Sequence, residues 1–176
     1  MKKGRRCKEC KTYMESPLPS QVVCSPQCAY QYSKRQGEKK RKEKIKELKE
    51  SVKTKSDYLK EVQVVFNQYI RLRDENKPCI SCGKPLIGKY DAGHFYSVGS
   101  SPSLRFNENN TFGQCVHCNQ HLHGNLHMYR NGIQYRITDL ELMELTMEAH
   151  KPKHYSIPEL IELKAYYKQK IKDLQK

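Results

Sequence analysis

Apolar side chains are spread thinly along this chain, and their spacing changes from one stretch to the next. Leu59, Val62, Phe66 and Tyr69 recur at steps of three and four, which predicts an amphipathic helix from Ser56 or Asp57 to about Asp74, closed by Pro78. Leu160, Leu163, Tyr167, Ile171 and Leu174 repeat the pattern near the carboxyl end. Thr138 with Glu141 and Ser156 with Glu159 have the spacing of capping boxes, each just ahead of apolar residues at helical intervals. Residues 34–55 are different. Eleven Lys or Arg stand there against four Glu, and Ile45, Leu48 and Val52 form a stripe too thin to be buried. This stretch reads as an exposed helix, serving as a spacer or tracking phosphates. In 11–23, Pro17 and Pro19 oppose regular structure, so the segment reads as a turn-rich hairpin. Residues 90–96 read as a strand, 97–110 as a crossing loop, and a helix is expected from Cys118.

Eight cysteines punctuate this pattern in four close pairs. Cys7, Cys10, Cys24 and Cys28 enclose 13 residues between the second and third cysteines, whereas Cys79, Cys82, Cys115 and Cys118 enclose 32. Two thiolates separated by two or three residues can turn around one tetrahedral ion, so the pairs predict two structural zinc sites. Disulfides are the competing reading, disfavoured because residues so close in sequence rarely meet disulfide geometry. Ser25 can cap a helix with Pro26 as its first residue, so that helix starts at the metal.

Composition narrows the function. With 176 residues, 36% of them hydrophobic, the chain has a small core and depends on metal staples. Its formal charge of +14, from 33 Lys plus Arg against 19 Asp plus Glu, predicts a polyanionic partner, nucleic acid above all. No apolar run approaches the roughly 18 residues of a membrane helix. The basic amino terminus carries no apolar stretch, so the expected location is the cytoplasm, where thiolates survive.

Between the second set of knuckles stand Asp91, His94 and, directly after the last cysteine, Asn119. Taken singly, each has an ordinary structural role: a buried histidine, a turn cap, a helix cap. Together they form the order of a ββα-metal nuclease. Phosphodiester hydrolysis needs an activated water, a cation to neutralise charge on the phosphate and help for the departing oxygen. Neutral His94 suits the general base, and Asp91 with Asn119 suits a hard divalent ion, Mg2+ or Mn2+. His123, four residues beyond Asn119 on the expected helix, is a further candidate for the metal or the scissile phosphate. His117 lies within the knuckle, while His121 and His127 are expected to face solvent or phosphate.

The strings Pro78-Cys79-Ile80-Ser81-Cys82-Gly83, Asp91-Ala92-Gly93-His94, 104–110 (LRFNENN) and 114–121 (QCVHCNQH), with Gly124-Asn125-Leu126 beyond, resemble the NinG (Rap) recombination family of lambdoid phages, within the HNH endonuclease superfamily. The resemblance extends over nearly the whole chain. It implies an α+β fold in which a small zinc-stapled ββα-metal core is flanked by helices and joined to a separate amino-terminal zinc module. The expected segments are 1–33 (zinc module), 34–55 (basic helical linker), 56–136 (nuclease core with its preceding helix) and 137–176 (carboxyl-terminal helices). The implied activity is metal-dependent cleavage of branched recombination intermediates such as Holliday junctions and D-loops. His94 and Asn110 form the catalytic pair, Asn110 restraining the loop that orients the histidine. Lys39, Lys40, Arg41, Lys42, Lys44, Lys46 and Arg105 are the expected DNA contacts. A homodimer is expected if resolution is symmetric, and other phage recombination proteins are further candidate partners. Many HNH sites place a ligand immediately before the base, where this chain has Gly93, so Asp91 needs a local bulge to enter the site. The competing class is a non-catalytic zinc-dependent DNA- or RNA-binding protein.

Overall fold

The computed structural model describes residues 4–176. The chain divides into two units, one ending at Lys53 and the other running from Thr54 to Lys176.

In the first unit, strand β1 (Arg5–Arg6) pairs antiparallel with β2 (Tyr13–Met14), Arg5 opposite Met14. The hairpin therefore straddles the first knuckle, where the sequence had suggested one within 11–23. Its turn is set by the Cys7 backbone N–H donating to the Thr12 carbonyl at 2.9 Å and by Lys11 at φ 65°. Helix α1 (Pro26–Ser51) opens at the second knuckle, with Pro26 in the first turn and the Ser25 hydroxyl accepting from Cys28 N at 3.2 Å. None of its 26 residues is buried. Cys7 and Met14 are the buried hydrophobic side chains described in this unit.

The second unit begins with α2 (Lys55–Arg73), followed by β3 (Tyr90–His94), β4 (Thr111–Cys115), α3 (Leu126–Ile133), α4 (Asp139–Glu148) and α5 (Ile157–Leu174). Thr54, rather than Ser56 or Asp57, caps α2. Asp57 is the reciprocal partner, and both halves of the box form. The boxes expected at Thr138 and Ser156 also form. One core cluster joins α2 to α5 through Val62, Phe66, Tyr69 and Ile70 against Leu160, Tyr167 and Ile171. Phe66 meets Tyr167 edge-on at 4.9 Å between ring centroids. A second cluster gathers Ile80, Leu104, Phe112, Tyr129, Ile133 and Leu145 around the β3–β4 hairpin. Each large side chain so buried contributes about 1.5–3 kcal/mol.

The two clusters fix the hairpin from both sides. Arg73, at the end of α2, donates to the carbonyls of Glu108 (3.0 Å) and Thr111 (2.8 Å) and holds Asp74, whose Oδ2 accepts from Gly113 N at 2.9 Å. Strand β4 thus hangs on α2. The described chain is α+β, with two two-stranded sheets, and no helix in it is long and apolar enough to cross a membrane.

Candidate active site and metal centres

Four sulfurs converge twice. The Sγ atoms of Cys7, Cys10, Cys24 and Cys28 all lie within 4.8 Å of one another, as do those of Cys79, Cys82, Cys115 and Cys118. All eight cysteines are free. Tetrahedral zinc with sulfur legs of about 2.3 Å requires sulfur-to-sulfur edges of about 3.8 Å. Cys82 to Cys115 is 3.8 Å, Cys24 to Cys28 3.6 Å and Cys10 to Cys24 3.4 Å. Donors stabilise the thiolates: Cys115 N to Cys79 Sγ at 3.4 Å, Cys118 N to Cys115 Sγ at 3.4 Å, and the Asn125 amide to Cys118 Sγ at 3.5 Å. The chemistry and spacing of both sets fit structural zinc, and four protein ligands leave no open position on it.

The second cluster clamps the end of a short antiparallel ladder in which Tyr90 pairs with Cys115 and His94 with Thr111. The register runs unbroken between them, so the bulge expected near Asp91 does not form. Gly93 has another role. The Gln114 side chain lies across it, and a Cβ there would stand 2.1 Å from Gln114 Oε1. Gln114 is fully buried, donating to Ser81 Oγ (2.7 Å) and the Gly124 carbonyl (2.6 Å).

His94 is the last residue of β3. Its Nε2 lies 3.0 Å from the carbonyl oxygen of Arg105. A carbonyl only accepts, so Nε2 carries the proton and Nδ1 keeps the free lone pair. Burial lowers the imidazole pKa below its ordinary value, and the nearby Arg105 charge adds to this, against the opposing effect of the carbonyl bond. Phe66 contributes to that cover at 6.2 Å between ring centroids. The loop that carries the Arg105 carbonyl is in turn tied at the preceding residue, Leu104, by Asn110, which is fully buried and does not line the cavity beside His94. Its amide nitrogen donates to the carbonyls of Tyr96 (3.0 Å) and Leu104 (3.1 Å), and its oxygen accepts from Tyr96 N at 2.8 Å.

Asp91 alternates to the strand face opposite His94 and meets the turn that follows the last knuckle. Its Oδ2 accepts from Asn119 Nδ2 at 2.9 Å and from Gln120 Nε2 at 2.7 Å. The other side-chain oxygens, Asp91 Oδ1 and Asn119 Oδ1, take no hydrogen bond among the described residues. They are the oxygens a hard cation would find. Apart from the cysteines, no three His, Cys, Asp or Glu side chains converge among the described residues. Such an ion would keep most of its water ligands, as Mg2+ does.

The long helix expected from Cys118 is a single π-turn, His117–His121. His123 lies beyond it and therefore not on a helical face shared with Asn119. It opens a run of three left-handed residues, His123 at φ 48°, Gly124 at 89° and Asn125 at 42°, from which α3 departs. The run restores what the lost face would have provided. His94, Asn119, His123, His127 and Arg130 all line one open cavity of about 730 Å³. Arg130 carried no signal in the sequence beyond its charge. Tyr129, equally unmarked, donates from its hydroxyl to the Gly93 carbonyl at 2.8 Å while accepting from Phe112 N at 3.1 Å, which locks α3 to the hairpin.

The expected DNA contacts are divided. Lys39, Lys40, Arg41, Lys42, Lys44 and Lys46 lie along exposed α1. Arg105 donates from Nε to Gln63 Oε1 at 3.0 Å, and its guanidinium lies 5.6 Å from the Phe106 ring centroid.

Comparison with known proteins places the chain. All of residues 1–176 match the family described as Bacteriophage Lambda NinG protein. The chain is 37% identical to Protein ninG of Escherichia phage lambda, over 97% of this chain and 93% of that one. It is also 37% identical to Protein ninG of Salmonella phage P22 and 35% identical to that of Escherichia phage 933W, each over 97% of this chain and 94% of the relative. No solved structure matches. A match along the whole chain, with relatives of nearly equal length, makes this protein a member of the bacteriophage NinG family.

Proposed function

We propose that this protein is an HNH-type, metal-dependent endonuclease that cuts branched DNA intermediates of recombination. The observation that carries the reading is His94, whose Nε2 is 3.0 Å from the Arg105 carbonyl, leaving Nδ1 as the basic nitrogen beside a cavity shared with Asn119. A buried, neutral, oriented imidazole at an open cavity is what a general base requires.

His94 Nδ1 takes a proton from water as the water oxygen forms its bond to phosphorus. The bond from phosphorus to the 3′ oxygen breaks, leaving a 5′-phosphate on one side of the nick. The departing oxygen is protonated from solvent to give a 3′-hydroxyl. Asp91 and Asn119 would hold Mg2+ or Mn2+, which supplies positive charge to the phosphate and the leaving oxygen. Asn110 is a positioning residue that keeps the Arg105 carbonyl against the base. The exposed lysines of α1 would hold duplex arms through their phosphates without reading sequence.

The test is cleavage of labelled Holliday junction, D-loop and plain duplex by zinc-loaded protein in magnesium or in EDTA, beside His94→Ala and Asn119→Ala. Magnesium-dependent nicking of branched substrates, lost in both variants while binding persists, supports the nuclease. Tight binding without nicks in any metal leaves a zinc-stapled nucleic-acid-binding protein.

A further inference from the structure

One wall of the cavity is served by a different element from the base and the metal ligands. We propose that Arg130 of α3, with His127 one turn before it, binds a DNA phosphate neighbouring the one that is cut; the proposal rests on the nuclease reading above.

His127 and Arg130 are three residues apart and so share a helix face, and both line the cavity. Their orientation is fixed by Tyr129 of the same helix, which turns away from His127 and is fully buried. The Tyr129 hydroxyl bridges Gly93 and Phe112, so α3 is bolted to the hairpin that carries His94. Base and arginine therefore belong to one rigid frame.

Arg130 is also uncommitted. It forms no hydrogen bond or ion pair among the described residues, whereas Arg73 is held by Asp74 and two carbonyls and Arg105 by Gln63. Apart from Tyr96, the ionisable side chains lining the cavity are histidines and this arginine, with no carboxylate in the lining to neutralise it. The nearby acid, Asp91, is turned to Asn119 and Gln120. A lone guanidinium in a concave surface without acids attracts anions, and its planar fork matches two phosphate oxygens at once. The cavity, at about 730 Å³, has room for more than one phosphate group. With His94 and Asn119 lining the cavity from the hairpin and from the turn after the last knuckle, the α3 wall is left for the next phosphate along the strand.

The experiment is binding of a labelled four-way junction by zinc-loaded protein without added magnesium, so that nothing is cut, with wild type, Arg130→Ala and Arg130→Lys over a range of salt. Arg130→Ala is expected to bind about five- to tenfold more weakly at fixed salt, with the slope of log affinity against log salt smaller by about one, while Arg130→Lys keeps the slope. Neutral methylphosphonates scanned one at a time across the branch then localise the contact. Wild type loses affinity at one position near the cut where Arg130→Ala loses none. Unchanged affinity and slope in Arg130→Ala, or equal sensitivity of both proteins at every methylphosphonate, overturns the proposal. If wild type in a parallel magnesium assay never nicks the junction, the nuclease reading falls by itself, and the phosphate contact is still decided by the methylphosphonate scan.

Discussion

The side chain of Asn110 pairs with the backbone of Tyr96 as though it were one more residue of the sheet. It accepts from Tyr96 N at 2.8 Å and donates to Tyr96 O at 3.0 Å, just past the point where Phe95 N donates to the Asn110 carbonyl at 2.8 Å. The third bond, to the Leu104 carbonyl, draws the far end of the loop to the same amide.

Asn110→Ala removes all three bonds and leaves their partners unsatisfied in the interior. The expected loss is about 2–4 kcal/mol of stability, read by urea unfolding. Zinc content should remain at the wild-type value, and any nicking should fall because the Arg105 carbonyl is no longer held against His94. A variant as stable as wild type would show that the amide is dispensable.

His94 sets an acid limit. Its pKa lies below the ordinary histidine value near 6.5 because burial disfavours the imidazolium. The imidazole therefore stays unprotonated to lower pH than a free histidine, and for the proposed nuclease the acid limb of a rate profile should have its midpoint below that value. The same depression means that the unfolded chain takes up the proton first, so this residue's contribution to stability declines as pH falls below about 6.5. NMR titration of the His94 ring checks both statements, and a midpoint at or above the free value refutes them.

Asp74 is a stability element with the opposite sign of shift. Burial works to raise its pKa, but the bonds and charge of Arg73, with Gly113 N and Lys77, outweigh this and hold it below the usual carboxylate range. Its stabilisation is fully present above about pH 4 and is lost as pH falls through the depressed folded value. Asp74→Ala leaves Arg73 without its counter-ion beneath β4, and about 3–5 kcal/mol should be lost. Equilibrium unfolding at neutral pH measures it.

The two sulfur clusters should be separable. Wild type is expected to carry two zinc ions per chain, and Cys24→Ser and Cys118→Ser one each. Because the second unit holds two hydrophobic clusters and the first little beyond Cys7 and Met14, Cys24→Ser should leave the main thermal transition in place, whereas Cys118→Ser should lower it. Metal analysis beside calorimetry checks this, and a common loss of both ions in either variant would contradict it.

What the sequence disclosed was what depends on near neighbours. The capping boxes at Thr138 and Ser156, the α5 stripe and the four knuckles involve partners within a few residues, and spacing alone reveals them. Misreadings came where a local signal had two uses. Asp57 looked like a cap and is the partner of Thr54, and Gly93 looked like the centre of a bulge and is the clearance for Gln114. His123 was assigned to a helix that three left-handed residues end early. Arg130, Tyr129 and Asp74 were invisible because their roles arise only after α2, α3 and the hairpin have packed.

Helix α1 has no buried residue to hold it, yet it starts at a metal ligand. Twenty-six residues at about 1.5 Å each make a rod of roughly 39 Å. Helix formation is limited by its first turn, and Cys28 in that turn is held with Cys7, Cys10 and Cys24 around one point. An ion held there would act as a nucleus for the whole rod. The order of lysines four and five turns away would then depend on it, although no bond connects them, and a helix content that falls when zinc is withdrawn would be its sign.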